Sequence, residues 1–129
     1  MPAAAKVKAI VVDDQMTMRS LVRTSLQQLG FLDIREFPSA TDAIAALKTA
    51  PAHVILSDFN MPGFDGLEFL RAVRADAATK GTAFILLTGR ADKDLVQRAV
   101  QFGANNYMVK PFTVAALKQK LEQVFGPLT

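Results

Sequence analysis

Three stretches of the chain, Lys8–Val12, His53–Ser57 and Ala83–Thr88, carry near-continuous runs of valine, isoleucine and leucine. None alternates apolar with polar residues, which is the pattern of strands covered on both faces. Two shorter stretches also read as strands. Ile34–Phe37 mixes in Arg35 and Glu36 and so suits a sheet edge, and Asn106–Val109 is closed by Pro111. Between the strands, apolar residues recur at helical spacing. Residues 16–29 place Met18, Leu21, Val22, Leu26 and Leu29 on one side with the small Ser25, and Gly30 is a natural stop. Ser39 is placed to cap a second helix, with Asp42 favouring its first turn and Ala40, Ala43, Ile44 and Leu47 inward, until Pro51. A third helix begins near Gly66, turns Leu67, Leu70 and Val73 inward, and fades across residues 76–81. The fourth spans 92–102, ended by Gly103; the fifth spans 113–125, with Val114, Leu117, Leu121, Val124 and Phe125 on one side. This strict alternation predicts an α/β fold, a parallel sheet with helices on both faces joined by right-handed crossovers.

Length and composition add bounds. The 129 residues suit one domain with a single core, and no linker, repeat or low-complexity tract interrupts them. One domain over residues 1–129 is expected, with no output domain after Phe125. No apolar run approaches a membrane span, and the amino terminus, MPAAAKVK, lacks the apolar core of an export signal. Without cysteine, disulfides and thiolate chemistry are excluded. A cytoplasmic protein is expected. The net charge of +3 and the pI near 9.5 raise the question of nucleic acid. The basic residues are scattered, however, and one Tyr and no Trp offer no stacking platform, so no nucleic-acid partner is predicted.

Ligands of such sheets bind outside the carboxyl ends of the strands. Asp13 and Asp14 follow the first strand, Asp58 the third, Thr88 ends the fourth, and Lys110 follows the fifth. Singly, each has an ordinary explanation as turn former, helix-start residue, strand former or solvated lysine. Jointly they bring three carboxylates, a hydroxyl and an ammonium to one rim. The carboxylates repel unless a cation joins them, and a hard divalent ion such as Mg²⁺ suits oxygen ligands. Metal, ammonium, hydroxyl donor and a free carboxylate oxygen together make a phosphoryl-transfer site, where catalysis is mainly positioning and charge neutralisation. Other motifs fail. An EF-hand loop starting at Asp58 would have Pro62 at its fifth position and Phe69 at its twelfth, and there is no glycine-rich nucleotide cradle. His53, the one histidine, lies away from the rim and is read as structural.

The segments VVDDQMTMR, ILSDFNMPGFDGLEFL, LLTG and GANNYMVKPF, in this order, resemble two-component response regulator receivers, and within them the single-domain regulators of chemotaxis. The likeness covers essentially the whole chain. It implies a flavodoxin-like (βα)5 sheet with strand order 2-1-3-4-5. It further implies that Asp58 accepts a phosphoryl group from a sensor histidine kinase. Asp14, Asp58 and the Asn60 carbonyl would bind Mg²⁺, with Asp13 acting largely through water. Lys110 and Thr88 would hold phosphoryl oxygens, Tyr107 would be an aromatic switch, and the Lys110–Pro111 bond would be cis. The activated face would bind a target, the flagellar motor switch, and a phosphatase would be a further partner, acting on the product. Val96 and Val100 form a second apolar line on the fourth helix. Together with Ala104, Tyr107 and Lys120 they are expected to make that docking face, on a monomer. The sequence departs from the pattern at Arg90, often acidic in such regulators, and at Phe59, often Trp. Arg90 and Asn60 are expected to flank the line of water attack on phospho-Asp58. The alternatives are a phosphate sink or another signalling pathway for the same receiver, an interaction module that binds partners without phosphorylation, and a haloacid-dehalogenase-type phosphatase. The last needs an Asp-x-Asp pair that Gln15 breaks.

Overall fold

A computed structural model describes residues 3–89 and 93–129. Five strands, β1 (Lys8–Val12), β2 (Asp33–Phe37), β3 (Val54–Asp58), β4 (Ala83–Thr88) and β5 (Asn106–Val109), form one parallel sheet in the order β2-β1-β3-β4-β5. Five helices alternate with them: α1 (Met16–Gln28), α2 (Ala40–Thr49), α3 (Gly66–Ala75), α4 (Lys93–Gln101) and α5 (Val114–Phe125). The predicted α/β architecture and strand order hold, with β2 at an edge.

The apolar runs are explained by their two destinations. Ala9, Val11, Val54, Leu56, Ile85 and Leu87 pack with Val22 and Leu26 of α1 and Leu117 and Leu121 of α5. The alternate residues Ile10, Val12, Ile55, Phe84 and Leu86 pack with α2, α3 and α4. On that second face Phe69 meets Phe84 edge-to-face at 5.4 Å. The same alternation continues to the carboxyl ends. Asp13 and Asp58 continue the α1/α5 side, whereas Thr88 continues the side that carries Phe84 and Leu86.

Several expectations shift. Asp58 is the last residue of β3, paired in register with Leu87, and lies within the strand, not after it. His53 precedes the strand, although its N–H donates to the Lys8 carbonyl and its carbonyl accepts from Ala83. Leu21 is exposed: Val22, Ser25 and Leu26 fill the buried stripe of α1, and Leu21 falls beside it. The predicted cap of α2 is present, Ser39 Oγ accepting from the Asp42 N–H at 3.2 Å. Position 92, read as the start of the fourth helix, lies outside the described residues.

Candidate phosphoacceptor site

β3 delivers Asp58 to the rim with its carboxylate almost wholly buried. The backbone of the adjoining loop holds it there. The Phe59 N–H donates to the Leu87 carbonyl at 2.8 Å, and the Phe59 carbonyl accepts from Gly66 at 2.9 Å. The loop between Phe59 and Gly66 therefore closes on its own start, and α3 begins directly behind the acceptor. Asp65 locks that helix start with a capping box. Its Oδ1 accepts from the Glu68 N–H, and its own N–H donates to Glu68 Oε1. Gly66 is obligatory for the close return. A Cβ there would lie 2.6 Å from the Asp58 carbonyl oxygen and 2.8 Å from Phe59 Cα, both backbone atoms.

β1 delivers Asp13, also buried, and the next residue, Asp14, is exposed. One carboxylate oxygen from each of Asp13, Asp14 and Asp58 lies within 4.8 Å of the others. Lys110 reaches into this group from beyond β5. Its Nζ donates to Asp58 Oδ1 at 2.7 Å and to Asp13 Oδ2 at 3.3 Å. The second Asp13 oxygen accepts from the Gln15 N–H at 2.9 Å. Burial raises the Asp13 carboxyl above the ordinary aspartate value; the Gln15 N–H and Lys110 oppose this, and the Asp58 charge adds to it. One ammonium thus faces three carboxylates. The charge deficit and the all-oxygen donor set fit a hard divalent cation.

Thr88 is buried at the end of β4, and the Lys110 N–H donates to its carbonyl at 2.7 Å. Leu86 pairs with Tyr107 and Thr88 with Val109, so Thr88 and Tyr107 are diagonal neighbours on adjacent strands. A cavity of about 310 Å³ beside the acceptor is lined by Phe59, Asn60, Thr88 and Gly89. The Lys110–Pro111 peptide is cis. Arg90 lies outside the described residues, so its expected place beside Asn60 has no structural counterpart here.

The other predicted face lies at the edge of the sheet. Leu95 and Ala99 are buried, Val96 and Ala104 are half-buried, and Val100 is 63% exposed, so the second apolar line of α4 reaches solvent. Lys120 Nζ sits 4.9 Å over the half-buried Tyr107 ring. A cavity of about 350 Å³ there is lined by Lys93, Val96, Gln97 and Tyr107. Sequence reasoning brought together Asp13, Asp14, Asp58, Thr88 and Lys110. It missed the Asp65–Glu68 capping box, a D-x-x-E pattern open to view, and the steric role of Gly66.

Buried carboxylates gathered at the carboxyl rim of a doubly wound sheet, with a lysine bridging them, make an acidic pocket suited to a cation and a phosphoryl group, as in phosphoacceptor signalling domains. Similarity to known proteins agrees: residues 9–122 match the response regulator receiver domain, and the chain belongs to that family. Within the family it is a CheY-type response regulator of chemotaxis. It is 47% identical to a probable chemotaxis protein CheY of Rhizobium etli over 128 residues, 99% of each chain. It is 40% identical to the chemotaxis protein CheY of Pseudomonas aeruginosa, covering 92% of this chain and 95% of that one. Among solved structures, Vibrio cholerae CheY4 superposes with a TM-score of 0.85 at 33% identity, covering 92% of this chain and 98% of that one. A putative response regulator from Chloroflexus aurantiacus, at 24% identity and a TM-score of 0.86, covers 96% of this chain and 98% of that one and shares the fold.

Proposed function

We propose that Asp58 is the phosphoryl acceptor of a two-component relay and that its modification switches the α4–β5–α5 face between partners. The observation that carries this is the Lys110 ammonium held by two buried carboxylates with a third beside them. Asp13, Asp14, Asp58 and the backbone carbonyl of Asn60 would hold Mg²⁺. The bound ion supplies charge neutralisation on the phosphoryl oxygens. An Asp58 carboxylate oxygen attacks the phosphorus of a phosphohistidine on a sensor kinase in line. The P–N bond breaks, and its electron pair stays with the imidazole. Lys110 exchanges its bond to Asp58 for one to a phosphoryl oxygen. Thr88 turns its hydroxyl to another, and Tyr107, its diagonal neighbour, moves into the space released.

The acyl phosphate adds negative charge and acceptor oxygens next to Thr88 and Lys110, a local change of the kind that biases a two-state element. The line of half-buried Val96 and exposed Val100, with Ala104, Tyr107 and Lys120, is the surface so altered. An amphipathic segment of the flagellar motor switch is its target. Hydrolysis at the same centre, spontaneous or by a partner phosphatase, resets the switch. None of the described helices is long and apolar enough to cross a membrane. A cytoplasmic monomer is part of the same proposal.

The test is treatment of purified protein with phosphoramidate, with Mg²⁺ or with EDTA, read by intact mass. Wild type should gain one phosphoryl group only with Mg²⁺, and Asp58→Asn none. A motor-switch peptide should then bind the phosphorylated form more tightly. Modification without metal, or of Asp58→Asn, defeats the acceptor reading; equal peptide binding by both forms defeats the target.

A further inference from the structure

Arg19 is in the wrong place for the stability of its own helix. It lies four residues into α1, near the positive end of the helix dipole, where a cation is disfavoured. That helix has no side-chain N-cap and no acidic residue in its first turn. Arg19 instead reaches back out of the helix, its Nη1 donating to the carbonyl of Asp13 at 2.7 Å. Its Nε stands 4.0 Å from Glu36 Oε1 on β2, and its side chain is only 16% exposed.

The carbonyl it holds belongs to the peptide joining Asp13 to Asp14. A peptide is planar, so fixing its oxygen fixes the plane between the two residues that carry the carboxylates. The remaining polar atoms of Asp13 are tied separately: its N–H to the Phe37 carbonyl, Oδ1 to the Gln15 N–H and Oδ2 to Lys110. The carbonyl is the group that sets where exposed Asp14 stands relative to buried Asp13. Glu36 in turn steadies the guanidinium, and Arg23 grips the same Glu36 at 2.7 Å without touching Asp13.

We infer that Arg19 is a positioning residue for the metal site, orienting the Asp13–Asp14 peptide so that both carboxylates face one cation. This rests on the Mg²⁺ reading above. The sign of the effect separates it from simple electrostatics. Removing a positive charge beside an acidic site should tighten cation binding by Coulomb attraction alone. Loss of positioning should weaken it.

Calorimetric titration with Mg²⁺ on wild type, Arg19→Ala, Arg19→Lys and Arg23→Ala decides, with folding checked by thermal melts. We expect the dissociation constant to rise about tenfold in Arg19→Ala, the low end for partners that orient metal ligands. Arg19→Lys should recover part of the loss, since an ammonium can still donate to the carbonyl. Arg23→Ala should stay within about twofold of wild type while losing comparable thermal stability. In phosphoramidate labelling, saturating Mg²⁺ should restore the Arg19→Ala rate. Unchanged or tighter Mg²⁺ binding by Arg19→Ala, or equal losses at Arg19 and Arg23, overturns the inference while leaving the site intact. A wild type that binds no Mg²⁺ overturns the site itself. Should Arg19→Ala not fold, Arg19→Met, which keeps an apolar stem but has no donor for the carbonyl, takes its place, and Mg²⁺ binding as tight as wild type or tighter would equally refute the inference.

Discussion

At the carboxyl rim of the sheet one ammonium, Lys110, faces three carboxylates; at the amino rim one guanidinium, Arg74, faces only neutral oxygens. Arg74 leaves α3 to donate to the carbonyls of Lys80 and Thr82 just before β4. It also reaches the Gly103 carbonyl and Asn105 Oδ1 just before β5. Asn105 Oδ1 also accepts from the Phe84 N–H. Burial lowers the Arg74 pKa from its ordinary value, but every bond it makes is to a neutral acceptor and no like charge opposes it. The same rim uses His53 Nδ1 to accept the Lys8 N–H at 2.9 Å. The amino rim thus joins elements by satisfied hydrogen bonds. The carboxyl rim keeps like charges together and leaves them short of cations. A fold selected for stability alone would not crowd Asp13 and Asp58. Their crowding is the cost of a site that needs a metal and a phosphoryl group to complete it.

If the rims differ in this way, substitutions should separate stability from phosphorylation. Arg74→Ala should have the largest effect on stability. It takes the guanidinium from three carbonyls and leaves Asn105 Oδ1 with only the Phe84 N–H, a loss of about 2–4 kcal/mol for charge-assisted bonds, measured by urea unfolding. Its phosphoramidate labelling at low temperature should match wild type. Gly66→Ala comes next and should damage both properties, because the new Cβ strikes the backbone of Asp58 and Phe59, which cannot give way, as well as the Leu86 side chain. About 1–3 kcal/mol is expected, with slower labelling.

Asp13→Asn should act in the opposite direction. Its raised pKa means that the folded protein retains a proton the unfolded chain has lost. Stability from this group is therefore full below the unfolded aspartate value and is lost as pH rises through the folded one. In EDTA, the difference between wild type and Asp13→Asn should turn against wild type as pH rises from acid to neutral, by an amount on the order of 1 kcal/mol. Added Mg²⁺ should raise the melting temperature of wild type and do little for the variant. His53→Leu should have the smallest effect, about 0.5–1 kcal/mol from one exposed hydrogen bond, with labelling unchanged. Labelling lost in Arg74→Ala at low temperature, or kept in Gly66→Ala, would erase the distinction between the rims.

The two rims also differed in how far they could be read from the chain. Buried strands announce themselves as apolar runs, and the parallel topology sends every strand end to the same side. Asp13, Asp14, Asp58, Thr88 and Lys110 were therefore visible as a group in the sequence itself. Arg74 was not. Its partners are backbone oxygens, identical in every residue, and only the tertiary path of the α3–β4 and α4–β5 connections gathers them. The Arg19–Asp13 bond was hidden for the same reason. Gly66 looked like an ordinary helix-start glycine until the return of the Phe59–Gly66 loop placed it against Asp58. Leu21 and His53 show the limits of periodicity, which fixes a stripe or a run to within about one position.

The central claim is that one carboxylate, Asp58, receives the phosphoryl group. Protein treated with phosphoramidate and Mg²⁺ can be reduced with borohydride, which converts an aspartyl phosphate to homoserine, and then mapped by peptide mass spectrometry. The account predicts homoserine at position 58 and at no other aspartate, and none when EDTA replaces Mg²⁺. Homoserine at position 13 or 14, or a phosphoryl group that survives on a serine or threonine, would contradict it.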